Sequence, residues 1–189
     1  MAPNKEQRVG IFIDVQNLYH SSKNLFNARV NYKELIRCLT AGRKLVRSLA
    51  YVVKAEGVEG ASGAPPQPAP TGREASFFEA LKGAGLELRL KDIQIYAGGA
   101  KKADWDVGMA VDTVRLAPSL DVVVLVTGAG DFIPLVEYLR YGLGRQVEVA
   151  SCSRSASGKL KESCARFIAI EDIPKILLKL KNTTASHGS

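Results

Sequence analysis

"DVVVLVTGAGDF" occupies residues 121–132. Its first half is an unbroken β-branched run, which reads as a strand with both faces covered, the mark of a parallel sheet inside an α/β protein. Its second half is a glycine-hinged turn ending on a carboxylate, Asp131. Such a turn can hold a nucleotide phosphate, cap a helix or form one wall of a metal site.

The same alternation extends outward in both directions. "RVGIFIDV" (8–15) reads as a buried strand ending on Asp14, and "NLYHSSKNLF" after it as a weak helix. "NYKELIRCL" reads as a helix with Asn31 as cap and Glu34 reaching back, as in a capping box. "KLVRSLAYVVK" (44–54) carries a strand around residues 49–53, while Arg43, Lys44 and Arg47 read as a solvated helix face. "REASFFEALKGAG" (73–85) is an amphipathic helix, and "LELRLKDIQIYAGG" (86–99) is strand-like by alternation. "ADWDVGMAVDTVRLA" is a helix closed by Pro118, and "DFIPLVEYLRYGLG" one closed at Gly142. "RQVEVAS" is a strand, "SGKLKESC" a short helix, "RFIAI" a last strand, and "DIPKILLKL" a terminal helix with Asp172 as cap and Pro174 in its first turn. Strands alternating with helices predict an α/β fold with a mainly parallel sheet covered on both faces. The stretch 55–72, rich in Gly, Ala and Pro, predicts a flexible loop, and 182–189 a disordered tail.

With 189 residues, 46% apolar and 24% charged, the chain suits one domain, expected over residues 8–174. No run is long and apolar enough to span a membrane, and the polar start "MAPNKEQR" lacks the apolar segment of a secretory signal, so the expected location is the cytoplasm. Cys38, Cys152 and Cys164 are widely spaced, which argues for buried thiols rather than a disulfide framework or a zinc site. Twenty-six Lys and Arg against nineteen Asp and Glu give a net charge of +7 and a pI near 9.4. That charge favours a polyanionic partner such as nucleic acid.

Ligands of open parallel sheets bind at the carboxyl ends of the strands. Asp14 closes the first strand, Asp131 follows the "VVVLV" strand, and Asp106 opens the helix after "IQIYAGG", so all three belong to one edge. Carboxylates gathered there repel one another unless a hard divalent cation holds them. Mg²⁺ or Mn²⁺ on such a cluster is suited to phosphodiester hydrolysis, because it ionises a water and neutralises charge on the phosphate. Asn17 can add an amide oxygen. The plainer alternative is that each Asp caps a helix. Other motifs fail: a dinucleotide fingerprint would need glycine where Ile133 stands, and a P-loop would need Ser or Thr where Leu160 stands. His20, the one histidine outside the tail, reads as a packing or surface residue.

"FIDVQN", "KKADWDVGMAVD" and "LVTGAGDF", in this order, resemble the NYN domains of the LabA-like group in the PIN-like nuclease superfamily, over about residues 8 to 172. The resemblance implies a three-layer α/β/α sandwich, PIN-like and Rossmann-like, with an acidic cluster binding Mg²⁺ or Mn²⁺ and acting on RNA as an endoribonuclease. By position it assigns Asp14 and its accompanying Asn17, Asp106 at the internal helix with Asp104 as rival, Asp112 as a supporting second acid, and Asp131 with Thr127 in the last motif. Catalytic and metal-holding roles fall to Asp14, Asp106 and Asp131. The pattern departs at Ala129, where the family carries an Asp. Two outcomes follow: Asp131 compensates, with Gly128 and Gly130 leaving the turn free to reposition it, or the domain retains RNA binding and loses turnover.

Lys101, Lys102, Arg154, Lys159 and Lys161 are the candidate phosphate contacts. Tyr96 and Trp105 are candidates for stacking on unpaired bases, against the plainer role of Trp105 as a core anchor. DNA as substrate and a homodimeric state both remain open at this stage.

Overall fold

The computed structural model of the chain describes residues 4–54, 72–91, 94–95, 101–102 and 104–180. Positions 55–71 of the Gly/Ala/Pro-rich loop, Tyr96 and the predicted disordered tail lie outside these residues, while Gly72 already belongs to a helix.

Strand β1 (Arg8–Asp14) leads into helix α1 (Val15–Phe26), then β2 (Ala28–Val30), α2 (Tyr32–Thr40) and β3 (Lys44–Val53). Helix α3 (Gly72–Gly83) precedes β4 (Glu87–Lys91), and two-residue strands β5 (Gln94–Ile95) and β6 (Lys101–Lys102) pair with each other. Helix α4 (Asp106–Leu116) leads to β7 (Val122–Val126). A 3-10 turn (Gly130–Phe132), α5 (Ile133–Glu137) and a π turn (Tyr138–Gly142) lead to β8 (Gln146–Ser151). Helix α6 (Gly158–Ser163), β9 (Arg166–Ala169) and β10 (Leu177–Lys179) complete the described chain.

Six strands form one sheet in the order β4-β3-β1-β7-β8-β9, and all five pairings are parallel. The "VVVLV" run is wholly buried, as a strand covered on both faces must be. One core packs Ile11, Ile13, Val124 and Val126 of the sheet against α1, α2 and α3 residues such as Leu18, Leu35 and Leu81. The other packs Phe12, Leu49, Val123 and Leu125 against Met109, Val136 and Leu160 of α4, α5 and α6. Odd and even residues of β1 thus feed opposite cores, which is the period-2 geometry of a strand. The result is the three-layer α/β/α arrangement.

Gly10 in β1 is required by close approach: a Cβ there would meet Leu120 Cδ1 at 2.4 Å. The register of β1 against β3 shifts at the same place, between Val9 and Gly10.

Two sequence expectations are corrected. The terminal helix over "DIPKILLKL" does not form; after a 3-10 turn at Ile170–Asp172 the chain turns again at Pro174–Lys175, where Lys175 has φ 60°, and β10 pairs antiparallel with β2. The residue before a proline is pushed out of the helical region, and Ile173, before Pro174, sits at φ −78°, ψ 120°. Asn31 N–H to the Ile176 carbonyl (2.8 Å) and Leu180 N–H to the Asn27 carbonyl (3.0 Å) extend the pairing. Arg43, Lys44 and Arg47 are no solvated helix face either. Arg43 is buried, and the other two lie on β3 in ion pairs with Glu6 and Glu87. Asn31 does cap α2, but Glu34 turns outward to Arg37 instead of closing a capping box.

Candidate functional site

Strands β1 and β7 are neighbours from which the chain winds outward in opposite directions, so their carboxyl ends mark the topological switch point where α/β proteins bind ligands. Asp14 is the last residue of β1. One carboxylate oxygen accepts the Asn17 N–H (3.0 Å) and so caps α1, and the other accepts the Thr127 hydroxyl (3.4 Å) from the end of β7. Burial raises the Asp14 carboxyl above the ordinary carboxylate range. Hydrogen bonds from Asn17, Thr127 and Gln16 pull it back, and the negative charge of Asp104 pushes it up again.

Asp104, two residues before α4, therefore shares the electrostatic environment of Asp14. Its carbonyl accepts Lys91 Nζ at 2.9 Å, and that ammonium also lies 5.7 Å above the Trp105 ring. Trp105 anchors α4 to the sheet: its indole N–H donates to the Val52 carbonyl (3.0 Å) and its ring meets Tyr51 edge-on at 5.5 Å. Gly108 gives it room, since a Cβ would stand 2.6 Å from the ring. The anchoring role of Trp105 accounts for its position, so it is not placed as a base-stacking platform.

Asp106 and Asp131 line a different feature, a cleft of about 450 Å³ between α4 and α5 whose walls include Val107, Ala110, Val114 and Leu135. Asp131 is exposed on the 3-10 turn. Among the described residues no three His, Cys, Asp or Glu side chains are grouped to hold one metal ion. Of the three expected cluster members, Asp106 and Asp131 share this cleft, and Asp14 has Asp104 as a charged neighbour.

Asp112 serves the fold. Its Oδ2 accepts the Tyr51 hydroxyl (3.1 Å) and Arg89 Nε (3.2 Å), and its Oδ1 accepts Arg115 Nη2 (2.7 Å). Truncation in Asp112→Ala leaves a buried phenol and a half-buried guanidinium without their acceptor, and should cost about 1–3 kcal/mol of stability. Urea denaturation reads that loss.

The turn after β7 is clamped on both sides. The Gly128 N–H donates to Asn17 Oδ1 (3.0 Å), and its carbonyl accepts the Ser157 N–H (2.9 Å). Neither Gly128 nor Gly130 has a positive φ. Gly128 is needed because a Cβ would lie 2.8 Å from Ser151 Oγ and 3.1 Å from the Ala156 backbone. The turn is a tight seam between loops, not a free hinge for Asp131, and the Asn17 amide oxygen is spent on holding it. Ala129 packs half-buried against the α4–α6 core.

Of the cations, Arg154 is exposed on the segment between β8 and α6, and Lys159 is exposed in the first turn of α6. Lys161 is half-buried, donating to the Ser153 carbonyl and lying 5.1 Å from the Phe167 ring. Lys101 and Lys102 are placed only as backbone in β6. One residue escaped sequence reasoning. Tyr32 of α2 has its phenol pushed well above the ordinary range, chiefly by burial and further by the Asp14 charge. Nothing local marked it, because it follows a helix cap and reads as an ordinary first-turn residue.

The NYN domain family profile matches residues 8–171. The crystal structure of a protein of unknown function from Vibrio parahaemolyticus RIMD 2210633 is similar at a TM-score of 0.79 and 29% identity, covering 94% of this chain and 100% of that one. No curated protein matches. Among the described residues, no helix is long and apolar enough to cross a membrane.

Proposed function

The chain belongs to the NYN domain family of the PIN-like nuclease superfamily, and from that premise we propose that it is a divalent-metal-dependent endoribonuclease, of the LabA-like group its motifs resemble. The observation that carries this reading is Asp14: a half-buried carboxylate at the switch point of the sheet, already hydrogen-bonded, and within the field of the Asp104 charge. Burying a charge beside a like charge is costly, and a hard cation offsets both terms.

The donors fit Mg²⁺ or Mn²⁺ held through one or two carboxylates and otherwise by water, the usual habit of Mg²⁺. They do not fit a cage of three protein ligands, which no described residues form. Asp14 and Asp104 would hold the ion, with Asp106 and Asp131 at the neighbouring cleft. A bound cation supplies an ionised water and charge neutralisation at the scissile phosphate. The protein's own part is positional. Thr127 and the Asn17 backbone N–H fix the Asp14 carboxylate, Asn17 Oδ1 fixes the turn that carries Asp131, and exposed Arg154 and Lys159 offer contacts to flanking phosphates. With its net charge of +7, the protein would draw RNA to this edge in a salt-sensitive way.

A second reading rests on Ala129. It stands where the family pattern has an acid, and so favours an RNA-binding module on the same fold that has lost turnover. Incubating labelled RNA with the protein and Mn²⁺, alongside Asp14→Asn, separates the two. The enzyme predicts cleavage that the variant abolishes. The module predicts no cleavage by either protein, with RNA still bound. Asn is as good a helix cap as Asp and carries no charge to desolvate, so the metal-free variant should melt at the wild-type temperature or above. A large drop would mean that lost activity reflects unfolding and would remove the support for a metal-holding Asp14.

A further inference from the structure

The outer face of α4 carries large apolar side chains in solvent. Val107 is 74% exposed and Val111 59%, and beyond the adjoining cleft Tyr138 is 48% and Tyr141 76% exposed. With Ala110 and Val114, which line the troughs on either side, Val107, Val111 and Tyr138 make one apolar surface on the α4–α5 layer. Contiguous exposed apolar area of this kind marks a contact face rather than chance.

The charges around it decide what covers it. Among the described residues no lysine lines either trough; the charged ones there are Asp106 and Asp131 at one end and Arg115 at the other. A polyanion would choose a basic face, as at Arg154 and Lys159, over a valine surface with acids at one end. A second copy of a chain of net charge +7 is repelled by most of this protein's surface, but not by a patch that carries two acids and one arginine.

The order of residues along α4 fits such a copy. When two α4 helices lie antiparallel about a two-fold axis between positions 110 and 111, Val107 of each stands at the level of Val114 of the other and Ala110 at the level of Val111. The acidic Asp106 end then lies beside the end bearing Arg115, whose side chain is 64% exposed. The same arrangement sets the positive N-terminus of each helix near the negative C-terminus of its neighbour. An isologous contact requires this kind of self-complementarity.

We propose that α4 and the adjoining surface of α5 form the interface of a symmetric homodimer. This is independent of the nuclease reading, because it is tested by mass alone, without substrate. Sedimentation equilibrium at micromolar concentrations should give twice the 20.4 kDa monomer mass for the wild type. Val111→Glu places a charge from each copy in the contact and should return the monomer mass with an unchanged circular dichroism spectrum. Should that variant unfold, Val107→Glu is read in its place. A monomeric wild type overturns the proposal, as does a dimer that survives both substitutions. A monomeric wild type whose RNA affinity falls in Val111→Glu overturns it in favour of a nucleic-acid face.

Discussion

Replacing Arg43 with alanine should cost this protein about 3–5 kcal/mol of stability, the usual consequence of stripping one partner from a buried ion pair. Arg43 and Glu148 each have 1% of their side chain exposed. The guanidinium grips the carboxylate with two bonds of 2.9 Å, and its remaining donors reach the Leu39 carbonyl (2.7 Å) and the Thr40 carbonyl (3.1 Å). It therefore also caps the end of α2, satisfying carbonyls that a helix leaves orphaned. Without it, Glu148 keeps, among the described residues, only Gln146 as a side-chain donor, at 2.9 Å, in the middle of a buried strand. Domains are stable by only about 5–15 kcal/mol, so the loss is a large fraction of the total. Urea denaturation of Arg43→Ala measures it. The double variant Arg43→Met with Glu148→Leu should recover most of the loss, since a matched apolar pair carries no desolvated charge. If the single variant loses less than about 1 kcal/mol, the pair is not closed to water as the structure has it.

Gly128→Ala is the second large effect, and here it falls on the proposed ribonuclease activity more than on stability. The new methyl would stand 2.8 Å from Ser151 Oγ and 3.1 Å from the Ala156 backbone. The hydroxyl can rotate away, but the backbone can yield only by moving the seam between the loops after β7 and β8. Overpacking of this kind costs about 1–3 kcal/mol. The same shift pulls Gly128 off Asn17 and Ser157 and carries Asp131 with it. A displacement near 1 Å in a catalytic constellation costs about 100-fold in rate. The expected result is a folded, moderately destabilised protein with RNA cleavage reduced about 100-fold. Full cleavage by a folded variant would mean that the clamp does not position the reacting groups.

The alternation of apolar runs is a local property, so the sequence alone reached the α/β class, the parallel sheet and the edge on which Asp14, Asp106 and Asp131 fall. Strand ends and helix starts can be placed from periodicity, and in a parallel α/β sheet every strand's carboxyl end lies on one side. The same logic failed where local signals compete with a distant partner. "DIPKILLKL" has helical spacing, but Ile173 before Pro174 is extended, and the edge of β2 offers pairing to residues almost 150 positions away in sequence.

Only the tertiary structure decided which side chains share a volume. Arg43 and Lys44 are consecutive basic residues, yet one is sealed against Glu148 and the other lies in solvent with Glu6. Gly128 looked like a hinge and proved to be a spacer between two loops, while Asp104 sets its charge against Asp14. Burial, steric room and the field at a carboxylate come from atoms brought together by folding, and no neighbour along the chain records them.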